Sequence, residues 1–449
     1  MKEGAGAMHR NVKFIAVLLC LLMALASLSG CFRTAADELY GLPQASKEYL
    51  ELQKQINAVL ASGAEYSPPI SGLNRQSVQL KDIDSDGTNE AIAFFRTTGD
   101  KPLRIHIMKQ KNNSYETVNV IDGDGTAIDS IRYADMDGDG ISELIVGWQM
   151  SAALLHMTIY DIRNSEEAVL AETDYSKHFV SDLTGDGRAD VIALRLSSSD
   201  LPGEAMLFSL SENREPLTSA AGLSSGLESV SRIIRGHLND GTPAVFVEGG
   251  IGGTGVVTDI FSWQSGAIVN VLVRPSSGVS EDTLRPQKVY STDINGDGVV
   301  DVPMLRLLDP ESDSNYYTID WYSYDRYGGK RMVLSTYHNF QDGWYMILPS
   351  DWRDAVAVRR EDNIPGERTV VFSSLTAAGQ TADFLKIYTL SGDNKEDRAG
   401  IDSRFELHNK GDVIYAAEIL STDIPITLDK PAIANSFRLV EKEWATGVY

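Results

Sequence analysis

The chain has 449 residues, 43% of them apolar, and carries 63 Asp plus Glu against 40 Lys plus Arg, for a formal charge of −23. This length suits two or three domains with ordinary cores. The negative balance repels nucleic acid and anionic lipid headgroups, so neither is an expected partner.

Arg10 and Lys13 precede an apolar run over 14–28 that ends in Leu28-Ser29-Gly30-Cys31. A basic start, an apolar stretch and a small-residue terminus are the order of a signal peptide. The run is shorter than the roughly 20 residues a membrane-spanning helix needs. Met8 serves equally well as its start. The final four residues resemble a lipobox. The resemblance implies removal of 1–30 and lipidation of Cys31 with two acyl chains of the palmitate kind, enough for stable anchoring to the cell membrane. Cys20 leaves with the leader and Cys31 is then the only cysteine, so no internal disulfide forms. The rest of the chain is expected on the extracytoplasmic face, stabilised by its core, by bound metal, or by both.

Residues 32–70 read as a linker and one amphipathic helix over 47–61, with Ser46 as N-cap and Gly63 past its end. Tyr49, Leu52, Ile56, Val59 and Leu60 form its apolar face, expected to pack on the main body. Pro68 and Pro69 then make a turn into the first repeat.

Over 71–341 an acidic nonapeptide recurs at intervals of about fifty residues. Its first copy is Asp82-Ile83-Asp84-Ser85-Asp86-Gly87-Thr88-Asn89-Glu90 and its second Asp135-Met136-Asp137-Gly138-Asp139-Gly140-Ile141-Ser142-Glu143. The third is Asp182-Leu183-Thr184-Gly185-Asp186-Gly187-Arg188-Ala189-Asp190 and the fourth Asp293-Ile294-Asn295-Gly296-Asp297-Gly298-Val299-Val300-Asp301. Side-chain oxygens at positions 1, 3 and 5, a carbonyl at 7 and a carboxylate at 9 suit Ca²⁺, which takes about six to eight oxygens. The predicted ligands are therefore Asp82, Asp84, Asp86, Thr88 and Glu90; Asp135, Asp137, Asp139, Ile141 and Glu143; Asp182, Thr184, Asp186, Arg188 and Asp190; and Asp293, Asn295, Asp297, Val299 and Asp301, about four sites. A degenerate copy, Gly236-His237-Leu238-Asn239-Asp240-Gly241-Thr242-Pro243-Ala244, lacks oxygens at positions 1, 3 and 9 and is expected to bind none.

After the four acidic copies come short apolar runs, 91–95, 144–148, 191–194 and 302–307, which read as strands. An EF-hand would need a flanking helix and a bidentate Glu at position 12. The pattern instead resembles the FG-GAP and VCBS repeats of integrin-type propellers, with Thr184 as a departure at position 3. The stretch Asp37-Glu38-Leu39-Tyr40 with Pro43 and the helix is similar to the entry segment of uncharacterised VCBS-type lipoproteins of Gram-positive bacteria, which offer no assigned activity. The resemblance implies a mainly β fold: a β-propeller of four-stranded blades with calcium-binding hairpin loops. Five repeats are visible, and other strands leave room for a sixth or seventh blade. For one interval the four strands are read as 144–148, 154–161, 168–174 and 179–182.

Residues 342–449 lack the nonapeptide. Strand-like pieces at 344–348, 355–360, 369–373, 384–390 and 413–419 and a helix over 434–444 read as a separate small α+β domain. Trp344, Tyr345 and Trp352 could form a sugar-stacking platform, but aromatics at strand positions suit a core better.

Gly222-Leu223-Ser224-Ser225-Gly226 fits a nucleophile elbow, yet it lies in a small-residue linker. Gly250-Ile251-Gly252-Gly253-Thr254-Gly255 fits a dinucleotide fingerprint, but a strand-like run follows where a helix is required. Neither the seven histidines nor the carboxylates outside the loops form a metal or acid/base pattern. The expected role is a non-catalytic, lipid-anchored scaffold that presents its loops to an unidentified envelope protein or glycan. An envelope enzyme such as a glycan hydrolase is the alternative, and a sensor or accessory factor a third.

Overall fold

The computed structural model describes residues 47–440 apart from 113, 164–167, 212, 254, 287, 308–316, 376–380 and 421–428. Cys31 and its lipobox-like segment lie outside these described residues. The predicted helix is present as α1 (Lys47–Ala61), with Leu52 and Ile56 buried and Tyr49 exposed. No helix among the described residues is long and apolar enough to cross a membrane.

The rest is mainly β, in six antiparallel sheets that follow one another along the chain. The first holds β1 (Glu65–Tyr66), β2 (Val78–Lys81), β3 (Glu90–Arg96), β4 (Leu103–Lys111) and β5 (Ser114–Gly123). Three four-stranded sheets come next. They are β6 (Ala127–Ala134) to β9 (Ala168–Tyr175) through β7 (Glu143–Gln149) and β8 (Leu155–Asp161); β10 (Lys177–Ser181) to β13 (Pro216–Gly222) through β11 (Asp190–Arg195) and β12 (Glu204–Leu210); and β14 (Leu227–His237) to β17 (Ala267–Asn270) through β15 (Pro243–Ile251) and β16 (Gly255–Gln264). Each of the first three acidic nonapeptides joins the strand before it to the strand after it within one sheet. The four-strand interval was thus legible, but its last strand, predicted over 179–182, belongs to the next sheet.

Alternation explains the packing. In β11, Val191 and Ala193 face the second sheet, whereas Ile192 and Leu194 face the fourth. In β15, Val245 and Val247 face the third sheet while Ala244 and Phe246 face the fifth. Successive side chains point to opposite faces of a strand, so a sheet covered on both sides needs a continuous apolar run.

The fifth sheet has β18 (Val302–Leu307), β19 (Tyr317–Tyr324), β20 (Lys330–Asn339), β21 (Trp344–Leu348) and, last in the chain, β27 (Phe437–Leu439). The sixth has β22 (Val356–Ile364), β23 (Glu367–Leu375), β24 (Thr381–Ser391), β26 (Val413–Ile419) and β25 (Phe405–Asn409). Among the described residues two short α-helices follow α1, α2 (Lys395–Ala399) and α3 (Lys430–Ser436). The boundary expected at 341/342 falls inside the β20–β21 hairpin, and β27 pairs back onto β21. The C-terminal segment is therefore built into the fifth sheet. The helix predicted over 434–444 ends at Ser436, where Phe437 and Leu439 enter the core and extend the chain instead. Trp344 and Trp352 are buried between the fifth and sixth sheets, so they are core residues.

Among the described residues no regular strand directly precedes the fourth acidic loop; an isolated bridge links Thr292 to Asp301. An ion pair holds the chain there. Arg285 and Glu248 are both fully buried at 2.7 Å. Arg285 also donates from Nε to the Val289 carbonyl at 2.7 Å and from Nη1 to the Thr283 carbonyl at 2.9 Å. Glu248 accepts from the Ser291 amide at 2.9 Å and from its hydroxyl at 2.7 Å.

Removing one partner of such a pair leaves an uncompensated buried charge, at a cost of about 3–5 kcal/mol. Arg285→Met should therefore destabilise strongly in urea denaturation, and the double variant Glu248→Leu/Arg285→Met should recover only the part due to the unpaired charge, because the Val289 and Thr283 carbonyls and the Ser291 amide still lose their partners. A single variant as stable as the parent would contradict this.

Burial also holds His338, which stacks on Tyr345 with ring centroids 5.0 Å apart, and His178 in the neutral form, with pKa values lowered to about 3 from 6.5. Between those two values the unfolded chain binds the extra protons, so stability falls as pH falls, by about 1.4 kcal/mol per pH unit for each histidine. His338→Phe should remove one such contribution from the pH dependence of unfolding free energy. An unchanged slope would show that this ring protonates in place.

Candidate functional site

The acidic loops share one backbone design. The position 1 carboxylate accepts from the position 6 glycine amide: Gly87 to Asp82 at 3.0 Å, Gly140 to Asp135 at 2.9 Å, Gly187 to Asp182 at 2.9 Å, and Gly298 to Asp293 at 2.8 Å. Position 5 accepts from the amide of position 7, and position 9 from that of position 2. Positions 4 and 6 are left-handed, as at Ser85 (φ 56°) and Gly87 (φ 86°). Glycine is the low-cost residue there, and Ser85 is the departure. The position 2 side chains Ile83, Met136, Leu183 and Ile294 are buried and anchor each loop. Part of the acidic signature is therefore spent on shaping the turn.

The loops also touch in sequence. Position 8 amides donate to the preceding loop: Ser142 to the Ile83 carbonyl at 2.7 Å, Ala189 to Asp135 at 3.2 Å, and Val300 to His237 at 3.2 Å. In the degenerate copy this position is Pro243, which has no N–H and lies against Gly185 instead. Arg235 supplies the missing tie, donating to the Val180 carbonyl at 3.0 Å. That copy is also one residue shorter than the alignment assumed. Leu238 is the buried anchor, and Asp240 accepts from the Thr242 amide at 3.0 Å, so His237 opens the loop and Asn239 takes position 3. Asp240 is neutralised by Arg326 Nε at 2.7 Å.

Whether Ca²⁺ fits depends on which carboxylate oxygens remain for it, and the loops differ. In the first, Asp82, Asp84 and Asp86 each offer an oxygen within 4.8 Å of the others, and Asp82 Oδ1 and Asp84 Oδ1 are buried without a hydrogen-bond partner. Lys109 touches only Asp84 Oδ2. In the fourth, Asp301 is fully buried and its Oδ1 has no hydrogen-bond partner, while burial raises its pKa to about 7. The first donor set converges as a hard cation requires; in the fourth, Asp293 and Asp297 already accept from the Gly296, Gly298 and Val299 amides, and Asp301 alone has an unmatched buried oxygen.

The second loop also brings Asp135, Asp137 and Glu143 together, but Arg163 already sits among the carboxylates. Its Nη1 lies 2.7 Å from Asp137 and 2.5 Å from Asp139, and its Nη2 lies 3.4 Å from Glu143. Burial still raises Glu143 to about 7. In the third loop, Asp190 Oδ2 accepts from the Leu183 and Thr184 amides, both at 2.8 Å, and Arg188 Nε reaches Asp186 at 3.0 Å. Thr184 donates its hydroxyl to Asp190 at 3.5 Å. Of the four predicted sites, the first gathers three carboxylates with two buried oxygens unmatched, and the fourth keeps one unmatched oxygen, on Asp301; the second gathers three carboxylates around Arg163, and the third is satisfied by the chain's own donors.

Lys109 and Arg163 were not singled out in the sequence. A signal existed: they stand 25 and 26 residues past the position 3 aspartates that they contact. The enzyme-like motifs resolve structurally. Ser224 is buried, donates to Asp259 Oδ1 at 2.6 Å, and lies between β13 and β14 with no helix after it. The glycines of 250–255 lie at the β15–β16 hairpin.

No family model and no curated protein matches the chain. Among solved structures it is similar to the exotype rhamnogalacturonan lyase YesX (12% identity, 67% of this chain and 60% of that chain, TM-score 0.24). It is also similar to the rhamnogalacturonan lyase PL11 of Bacillus licheniformis (11%, 71% and 76%, TM-score 0.29) and to TolB from Acinetobacter baumannii (11%, 66% and 62%, TM-score 0.23).

Proposed function

We propose that the chain is an extracytoplasmic lipoprotein, anchored through Cys31, whose sheets form a β-propeller of the FG-GAP/VCBS kind and whose loops, locked by Ca²⁺, present a binding surface to an envelope protein or glycan. The observation that carries the reading is the set of buried, partnerless carboxylate oxygens in the first and fourth loops, at Asp82, Asp84 and Asp301. A buried acceptor without a partner forfeits its hydration, so a cation there is stabilising. The first three loops occur at the same junction of their sheets, and position 8 amides tie the loops to their predecessors, so ions bound there would stiffen that edge. Extracellular calcium modules bind at about 10⁻⁴–10⁻³ M. Such sites are filled after export and are structural rather than signalling.

At ten times the dissociation constant each independent site adds about 1.4 kcal/mol of stability. Calorimetric titration should count two ions per chain, with Asp84→Asn and Asp301→Asn each removing one. The melting temperature should fall on chelation. Identical melting with and without chelator would end the calcium reading, and Cys31→Ala protein still fractionating with membranes would end the anchoring one.

A further inference from the structure

We infer that Arg163 is a tethered replacement for the metal ion of the second loop, so that this copy of the acidic nonapeptide is held closed by the chain itself while the first and fourth copies take a divalent cation. The inference rests on the calcium reading above and makes the repeats unequal within it.

The geometry is specific to this loop. Arg163 follows β8 and turns back across its own sheet to contact Asp137, Asp139 and Glu143, while Asp161 holds the other side of its guanidinium at 2.9 Å. Its side chain is only 10% exposed, and those of Asp137 and Glu143 are 2% and 1% exposed. Arg214 adds a second guanidinium, 3.1 Å from Asp137 and 2.6 Å from Asp161. None of the second loop's carboxylate oxygens is among the buried atoms left without a partner. At the matching place in the first sheet stands Lys109, whose ammonium meets one carboxylate and leaves two oxygens unmatched.

The chemistry follows from the two cations. An ammonium is a compact, strongly hydrated point charge; a guanidinium is a planar fork with five donors, pre-organised to bridge several carboxylates. Charge-assisted N–H contacts to three loop residues occupy the directions from which oxygens would converge on a metal. For Ca²⁺ to enter, Arg163 must leave all of them at once and find water. The second loop is also the connector, bonded to the first through Ser142 and to the third through Asp135. A metal-independent joint there keeps the neighbouring sheets in register before any ion binds.

The test uses the full-length protein in detergent, titrated with CaCl₂ and followed by hydrogen exchange. Without calcium, the amides of 135–143 should already be protected, and adding calcium should leave them unchanged while slowing exchange at 82–90 and 293–301. Arg163→Gln should bind one more equivalent than wild type, and Asp137→Asn in the wild-type background should bind the same number. Protection of 135–143 that appears only with calcium, or an equivalent lost in Asp137→Asn, would overturn the inference. If Arg163→Gln is too unstable to titrate, the exchange pattern of the wild type decides. If wild type binds no calcium but Arg163→Gln binds one ion, the inference stands and the calcium reading of the other loops falls. If neither binds, both fall.

Discussion

The structure depends on burial of its central strands from two sides at once. A strand such as β11 divides its apolar residues between two neighbouring sheets, so one sheet alone would leave half of that surface in water. At about 25 cal/mol per Å² of apolar surface, no single hairpin offsets the entropy of ordering it. Each sheet is therefore stable only between neighbours, as in other repeat architectures. The acidic turns operate inside this constraint: the first three sit where the first strand of a sheet returns as the second, and they set the register on which the alternation depends.

Much of this was legible in the sequence because it is local. The apolar runs after each turn, the helix over Lys47–Ala61 and the turn glycines depend on residues a few positions apart, and they stand where periodicity placed them. What was not legible is long-range. The C-terminal strand Phe437–Leu439 joins the fifth sheet almost a hundred residues after Trp344. No local pattern distinguishes it from the end of a helix. Arg163 is likewise an ordinary surface arginine by sequence and becomes part of the acidic loop only through the β7–β8 pairing. The degenerate copy misled for another reason. Deletion of one turn residue moved every later position, and the shift shows only through the buried anchor Leu238 and the amide bond to Asp240.

Identical-looking motifs thus divide into different devices according to what faces them. A nonapeptide supplies a concentration of negative charge, and a chain with a formal charge of −23 has little cation to spare. Where the facing residue is an arginine with a converging fork, the charge is met internally; where it is a lysine reaching one oxygen, carboxylate oxygens are left over. Reading the motif alone makes four equal loops, whereas unpartnered buried oxygens occur in only two of them.

The same logic accounts for the break in the pattern at the fifth sheet. With no regular strand ahead of Asp293, the chain over 280–292 has lost the ladder that would satisfy its backbone. Arg285 takes over as a multidentate donor to the Thr283 and Val289 carbonyls, and Glu248 as the acceptor for Ser291. A nonpolar pair would fill that volume with less desolvation, but it would leave those carbonyls and that amide without partners. The buried ion pair is retained there because it substitutes for missing main-chain pairing, and its charge is balanced within the pair. Glu248 is thus spent on Ser291 and Arg285, although the fourth acidic loop, with its unmatched Asp301 oxygen, begins only two residues past Ser291.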